Sequence, residues 1–166
     1  MQENMEIIWI VMIMIGIIMF YVAEIGAYFW HRFGAHTEII DKVSLNTLKV
    51  KQTHDIHHTI IDDEAHADFF YVCFLLFFYL VFLYLLFYYD YLSFSWLLVL
   101  YLPVFITLVW NWYVHSAYHQ EDHWLSKYEW FKHDKFLHMN HHIDPNCNYG
   151  IATHFTDEIL DTMSYS

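Results

Sequence analysis

The stretch from Phe69 to Tyr89 contains no charge, no glycine and no proline. A helix on the surface of a soluble protein carries a polar face, and this one has none to offer water. Crossing a bilayer takes about 20 residues at about 1.5 Å each, and two further segments meet that length. One runs from Ile7 to about Trp30, broken only by Glu24; the other runs from Tyr91 to about Tyr113 and contains Pro103, which is expected to kink it. Only Asp90 separates the second and third segments, so they are expected to form a tight hairpin. The composition agrees: 58% of residues are apolar and 22% aromatic, against a usual apolar share of roughly 45–50%. The expected fold class is all-α, an integral-membrane helical bundle with a histidine-rich cytosolic helical cap. Residues 1–166 are expected to make one domain, with the cap built from residues 32–68 and 114–166.

Counting crossings gives the topology. The first span ends where the second begins, the hairpin tip at Asp90 lies on the far side, and the third span returns. All seven basic residues (Arg32, Lys42, Lys49, Lys51, Lys127, Lys132 and Lys135) then share one side. The positive-inside rule counts Lys and Arg, so that side is expected to be cytosolic and the chain multi-pass. The opening six residues hold Glu3 and Glu6 and no basic residue, unlike a secretory signal, so the first span is expected to be retained.

A formal charge of −12 argues against a nucleic-acid partner, which needs a basic face. Cys73 and Cys147 form no disulfide framework or zinc knuckle. Fourteen histidines in 166 residues are the real anomaly.

Ten of them fall in four clusters: HRFGAH (His31, His36), HDIHH (His54, His57, His58), HSAYH (His115, His119) and HMNHH (His138, His141, His142). Helical residues three and four apart share a face, so the triplets and the HSAYH pair can present imidazoles together. HRFGAH differs, because residues five apart sit about 140° from each other on an α-helix. Its histidines need a helix end or break, which Gly34 could supply, or must serve different metals. All four clusters fall on the same side of the membrane. A lone histidine is ordinarily a hydrogen-bonded structural residue, but four ordered clusters on one face point to metal. Ten imidazoles exceed what one four-coordinate zinc can use, so two metals with four or five histidines each is the economical reading. Ligand type alone leaves Fe, Zn, Cu and Ni open.

His66, His123, His133 and His154 fall outside the clusters and are not expected to be ligands. Glu24, Asp55 and Asp144 are candidates to orient imidazole N–H groups, with solvation or capping as the plainer alternative. No catalytic residue is expected beyond the metal ligands.

The order of clusters (two, three, two, three histidines), with an apolar hairpin between the second and third, resembles the fatty acid hydroxylase and sterol desaturase superfamily of membrane di-iron enzymes. Asn148-Tyr149-Gly150 after the last cluster and the stretch Thr153 to Asp157 add to the likeness. The resemblance implies two iron ions on the ten clustered histidines, with zinc able to replace them in isolated protein. It implies O2 as co-substrate and hydroxylation or desaturation of a lipid, in lipid biosynthesis. It further implies a separate electron donor such as cytochrome b5 with its reductase, and the endoplasmic reticulum membrane as the location in a eukaryote. The chain is short for that group, and its amino-terminal span is single where many members have more. A metal transporter, or an inactive relative with a structural metal, is the alternative. A transporter needs ligands within the spans, and an inactive relative predicts eroded clusters.

Overall fold

A computed structural model describes residues 2–44, 49–59 and 66–166, and every regular element among them is helical. The first helix, α1, spans Gln2–Phe29 and passes directly into a π-helical turn, Trp30–Ala35. Helices α2 (Ile39–Val43), α3 (Val50–Thr59), α4 (His66–Tyr88) and α5 (Phe94–Tyr118) follow. A 3₁₀ turn (Trp124–Lys127), α6 (Glu129–Ile143) and α7 (Phe155–Ile159) complete the chain.

Two helical stretches, Met5–Ala35 and Phe94–Tyr118, are long and apolar enough to cross a membrane. The expected second span is helical up to Tyr88, with Tyr89 in the turn that follows, and Cys73–Tyr88 forms a shorter apolar stretch. The side chains of His66 and Phe69–Val72 lie outside the described residues. Large apolar side chains point outward along all three helices, Ile13 at 63%, Phe77 at 60% and Ile106 at 61% exposure among them. A contiguous apolar surface on that scale marks contact with lipid or another apolar partner. The protein is membrane-associated.

Helix α5 is the spine, with α1 and α4 packed against it. At the α1–α5 contact a Cβ on Gly16 would lie 3.9 Å from Pro103 Cγ, an ordinary van der Waals distance. Pro103 stands inside a helix that continues on both sides. One turn before the histidines, Asn111 Nδ2 donates to Glu24 Oε1 at 2.7 Å, and Thr153 Oγ1 donates to Glu24 Oε2 at 2.7 Å. A buried carboxylate is tolerated only when hydrogen-bonded, and these bonds pin α1, α5 and the carboxy-terminal segment to one another.

The hairpin ends as expected at Asp90. With φ 61°, Asp90 takes the left-handed conformation; its N–H donates to Phe87 O and the Tyr91 N–H to Leu86 O. These are the two bonds of a Schellman helix end. Ser93 then caps α5 by accepting from the Trp96 N–H.

The third helix runs past the expected boundary at Tyr113, because Val114 to Tyr118 contains neither glycine nor proline to stop it. The first is likewise carried to Ala35 by the π-helical turn. Both therefore deliver their histidines from rigid extensions of the bundle. Below them, Val114, Ala117, Tyr118, Leu125 and Phe131 form the core of the cap.

Candidate metal centre

Two groups of five imidazoles converge at the junction of bundle and cap. Among the described residues, His31, His36, His54, His58 and His141 form one group, and His57, His115, His119, His138 and His142 the other. Within each, one nitrogen per ring lies within 4.8 Å of every other. All ten clustered histidines are included. His123, His133 and His154 are not: His123 Nε2 meets Tyr113 Oη, the His133 ring lies beside Tyr165, and His154 Nδ1 faces Asp157.

Each triplet is divided. His54 and His58 serve the first group while His57, between them, turns to the second; His138 and His142 serve the second while His141 turns to the first. The groups adjoin, with the His58 and His142 rings stacked at a centroid distance of 4.3 Å. HRFGAH departs from the expectation. Its histidines share one group, and neither a break at Gly34 nor separate metals brings this about. The π-helical turn widens each turn of helix so that the His36 N–H reaches His31 O, and residues five apart come onto one face. Such turns are uncommon and frequent at functional sites. Gly34 instead leaves room for Trp30, whose Cε3 would lie 2.9 Å from an added Cβ.

The nitrogen contacts do not make sense as hydrogen bonds alone. His54 Nε2 lies 3.2 Å from His31 Nε2, 3.1 Å from His36 Nε2 and 3.0 Å from His58 Nε2. A ring nitrogen has one in-plane position, so it cannot bond three partners. His31 Nδ1 lies 2.7 Å from Tyr149 O, and His141 Nδ1 lies 2.6 Å from Cys147 O. A carbonyl only accepts, so each Nδ1 carries the proton and each Nε2 turns a bare lone pair inward. The second group has the same character, with His119 and His142 Nε2 at 3.0 and 3.1 Å from His138 Nε2, and His57 Nε2 at 3.1 Å from His115 Nε2. Lone pairs gathered so closely repel unless a cation lies between them.

Burial, with crowding by neighbouring rings, also keeps the imidazoles unprotonated. It pushes His36 and His142 down to about 2 from an ordinary 6.5, and holds His54, His138 and His141 well below that value. Neutral imidazole is the form that binds metal. The residues fit metal ions.

The three carboxylates expected to orient imidazoles are placed elsewhere. Glu24 bonds Asn111 and Thr153. Asp55 is exposed and pairs with Lys51 Nζ, and Asp144 caps its own turn by accepting from the Asn146 N–H. Asp55 on α3 and Asp144 just beyond α6 lie on the solvent side of the faces that carry the rings, and the buried Glu24 is taken up by its bonds to Asn111 and Thr153. Backbone carbonyls do the work instead, and a different carboxylate holds them. Asp157, fully buried, accepts from the Tyr149 N–H at 2.8 Å, the Gly150 N–H at 2.7 Å and Thr162 Oγ1 at 2.8 Å. Burial raises its pKa, but bonds from His154, Gly150, Thr162 and Tyr149 outweigh that and hold it below the carboxylate range. The signal was present in the sequence as Asn148-Tyr149-Gly150 and the stretch ending at Asp157, though without a physical role.

An apolar cavity of about 580 Å³ opens between α1, α4 and α5 and ends on His31 and His54 of the first group and His115 of the second. Its wall includes Met19, Gly26, Leu75, Tyr79, Val104 and Leu108. Trp30 and Trp112, two of the aromatics at the helix ends, line it as well.

Fold and site together define a membrane-associated, all-helical protein with two neighbouring polyhistidine sites that could bind metal. The family model for fatty acid hydroxylase matches residues 16–162. The chain belongs to the fatty acid hydroxylase family, and so to a group of lipid-acting oxidoreductases. Searches among individual curated proteins and among solved structures gave no match.

Proposed function

We propose that this chain, acting as one domain over residues 1–166, is a di-iron lipid hydroxylase or desaturase that uses O2. The observation that carries the reading is the apolar cavity that ends on histidines of both groups. In this reading each group of five holds one metal: His31, His36, His54, His58 and His141 the first, His57, His115, His119, His138 and His142 the second. Two iron ions held there would activate O2 for attack on an unactivated alkyl C–H bond, which acid–base chemistry cannot break. Zinc can take their place in isolated protein.

The protein's own part is binding, orientation and dryness. Met19 of α1, Leu75 of α4, and Val104 and Leu108 of α5 accept a hydrocarbon tail. Tyr149 O and Cys147 O hold the protons of His31 and His141 on Nδ1. The tail stays in the apolar phase while one carbon meets the histidine end. On the aqueous side His36, His58 and His142 border a second, polar pocket that also contains Arg32 and Lys51. We infer a multi-pass topology with that pocket facing the cytosol, at the endoplasmic reticulum in a eukaryote, with electrons from a separate carrier such as cytochrome b5 and its reductase.

The test is expression in a host that has a b5 reductase system, followed by lipid profiling. The expected result is a new hydroxylated or unsaturated lipid that disappears in His57→Ala. Unchanged lipids together with metal flux into vesicles would favour a transporter instead.

A further inference from the structure

We propose that the two metal sites are unequal: Asp157, acting through the peptide that joins Tyr149 and Gly150, makes the first group the tighter site and the one filled first. This rests on the reading that both groups bind metal.

Gly150 N–H and Tyr149 C=O belong to one planar trans peptide and point in opposite directions. At one end the N–H donates to Asp157 Oδ2 at 2.7 Å, and at the other the carbonyl accepts from His31 Nδ1 at 2.7 Å. The carboxylate thus sits one peptide away from a ligand ring. Its negative charge polarises the carbonyl, which strengthens the grip on the Nδ1 proton and raises the basicity of His31 Nε2. The Cys147–Asn148 peptide, two peptides upstream, repeats the arrangement. The Asn148 N–H donates to Thr162 O at 2.9 Å while Cys147 O accepts from His141 Nδ1 at 2.6 Å. Thr162 is itself tied to Asp157, by its hydroxyl and by its N–H to Asp157 O at 2.9 Å.

The local backbone admits little else. Asn148 has φ 51° and is braced by bonds to Leu137 O and Ser164 O. A Cβ on Gly150 would fall 2.3 Å from Thr153 O. His31 and His141, the rings that meet these two carbonyls, both belong to the first group. In the second, His138 Nδ1 and His142 Nδ1 are buried without a hydrogen-bond partner. On these two rings no carbonyl fixes the proton on Nδ1, as Tyr149 O and Cys147 O do for His31 and His141. Partners that orient ligand rings typically change metal affinity by about 10- to 100-fold.

The experiment is stepwise Co(II) titration of the full-length metal-free protein in detergent, read by ligand-field absorption and by metal per chain. Wild type should fill in two steps, the first lost in His36→Ala and the second in His119→Ala. Asp157→Asn should weaken the first step by about 10- to 100-fold and leave the second unchanged. Thr162→Val should weaken the first step less, with Thr162→Ser restoring it, and this pair reads the same effect should Asp157→Asn fail to fold. A single affinity for both sites in wild type, or equal weakening of both steps by either variant, overturns the inequality. Wild type that binds no metal at all would instead sink the proposed function on which it rests.

Discussion

At Gly26 a Cβ would meet nothing within 4 Å, and the residue lines the apolar cavity. Leucine there would reach into the space proposed for the lipid tail without disturbing the helix, and would gain about 0.8 kcal/mol of helix propensity. Gly26→Leu is therefore expected to keep or raise the melting temperature and keep the metal content, while cutting product yield at least tenfold. Unaltered yield in the lipid assay would mean the tail lies elsewhere. Gly150→Ala is the contrast: its clash is with the backbone, and both stability and metal content should fall together.

At the scale of elements, the helix ends decide what reaches the centre. Rigid continuations of α1 and α5 carry four of the ten histidines, whereas the α4–α5 turn lies at the opposite end of those helices. Asp90 occupies a left-handed position there, which costs a branched side chain roughly 1–2 kcal/mol and glycine nothing. Asp90→Gly should melt at or above the wild-type temperature and Asp90→Val several degrees below it, with metal per chain unchanged in both. A loss of metal in either variant would show that this turn is coupled to the site. The π-helical turn was not legible in the sequence, because an i, i+5 pair is equally compatible with a helix break. The choice was made by α3 and α6, whose His54 and His141 approach His31 and His36 from the other sides.

For the whole molecule, unprotonated histidines couple folding to pH. His36 and His142 titrate at about 2 when folded and near 6.5 when unfolded. Between those values the unfolded chain holds more protons, so stability rises with pH and falls as pH drops below about 6.5. The metal-free protein should melt progressively lower from pH 7 to pH 5, and the loaded protein should release metal over the same range. A melting temperature flat across that interval, measured without metal, would contradict the neutral, buried rings.

Length, apolarity and histidine spacing were local properties, so the sequence by itself determined the helical class, the hairpin at Asp90, the ten imidazoles and the family. Spacing of three or four residues puts rings on one face, but a face does not say which neighbour each ring will meet. The tertiary structure alone decided that each triplet divides two to one between the groups, and that Glu24 turns to Asn111 and Thr153. It also decided that the rings of His31 and His141 are oriented by backbone carbonyls braced through Asp157. These are contacts between segments as much as 129 residues apart, or with main-chain atoms that every residue carries, and neither leaves a mark in the local spacing of the side chains.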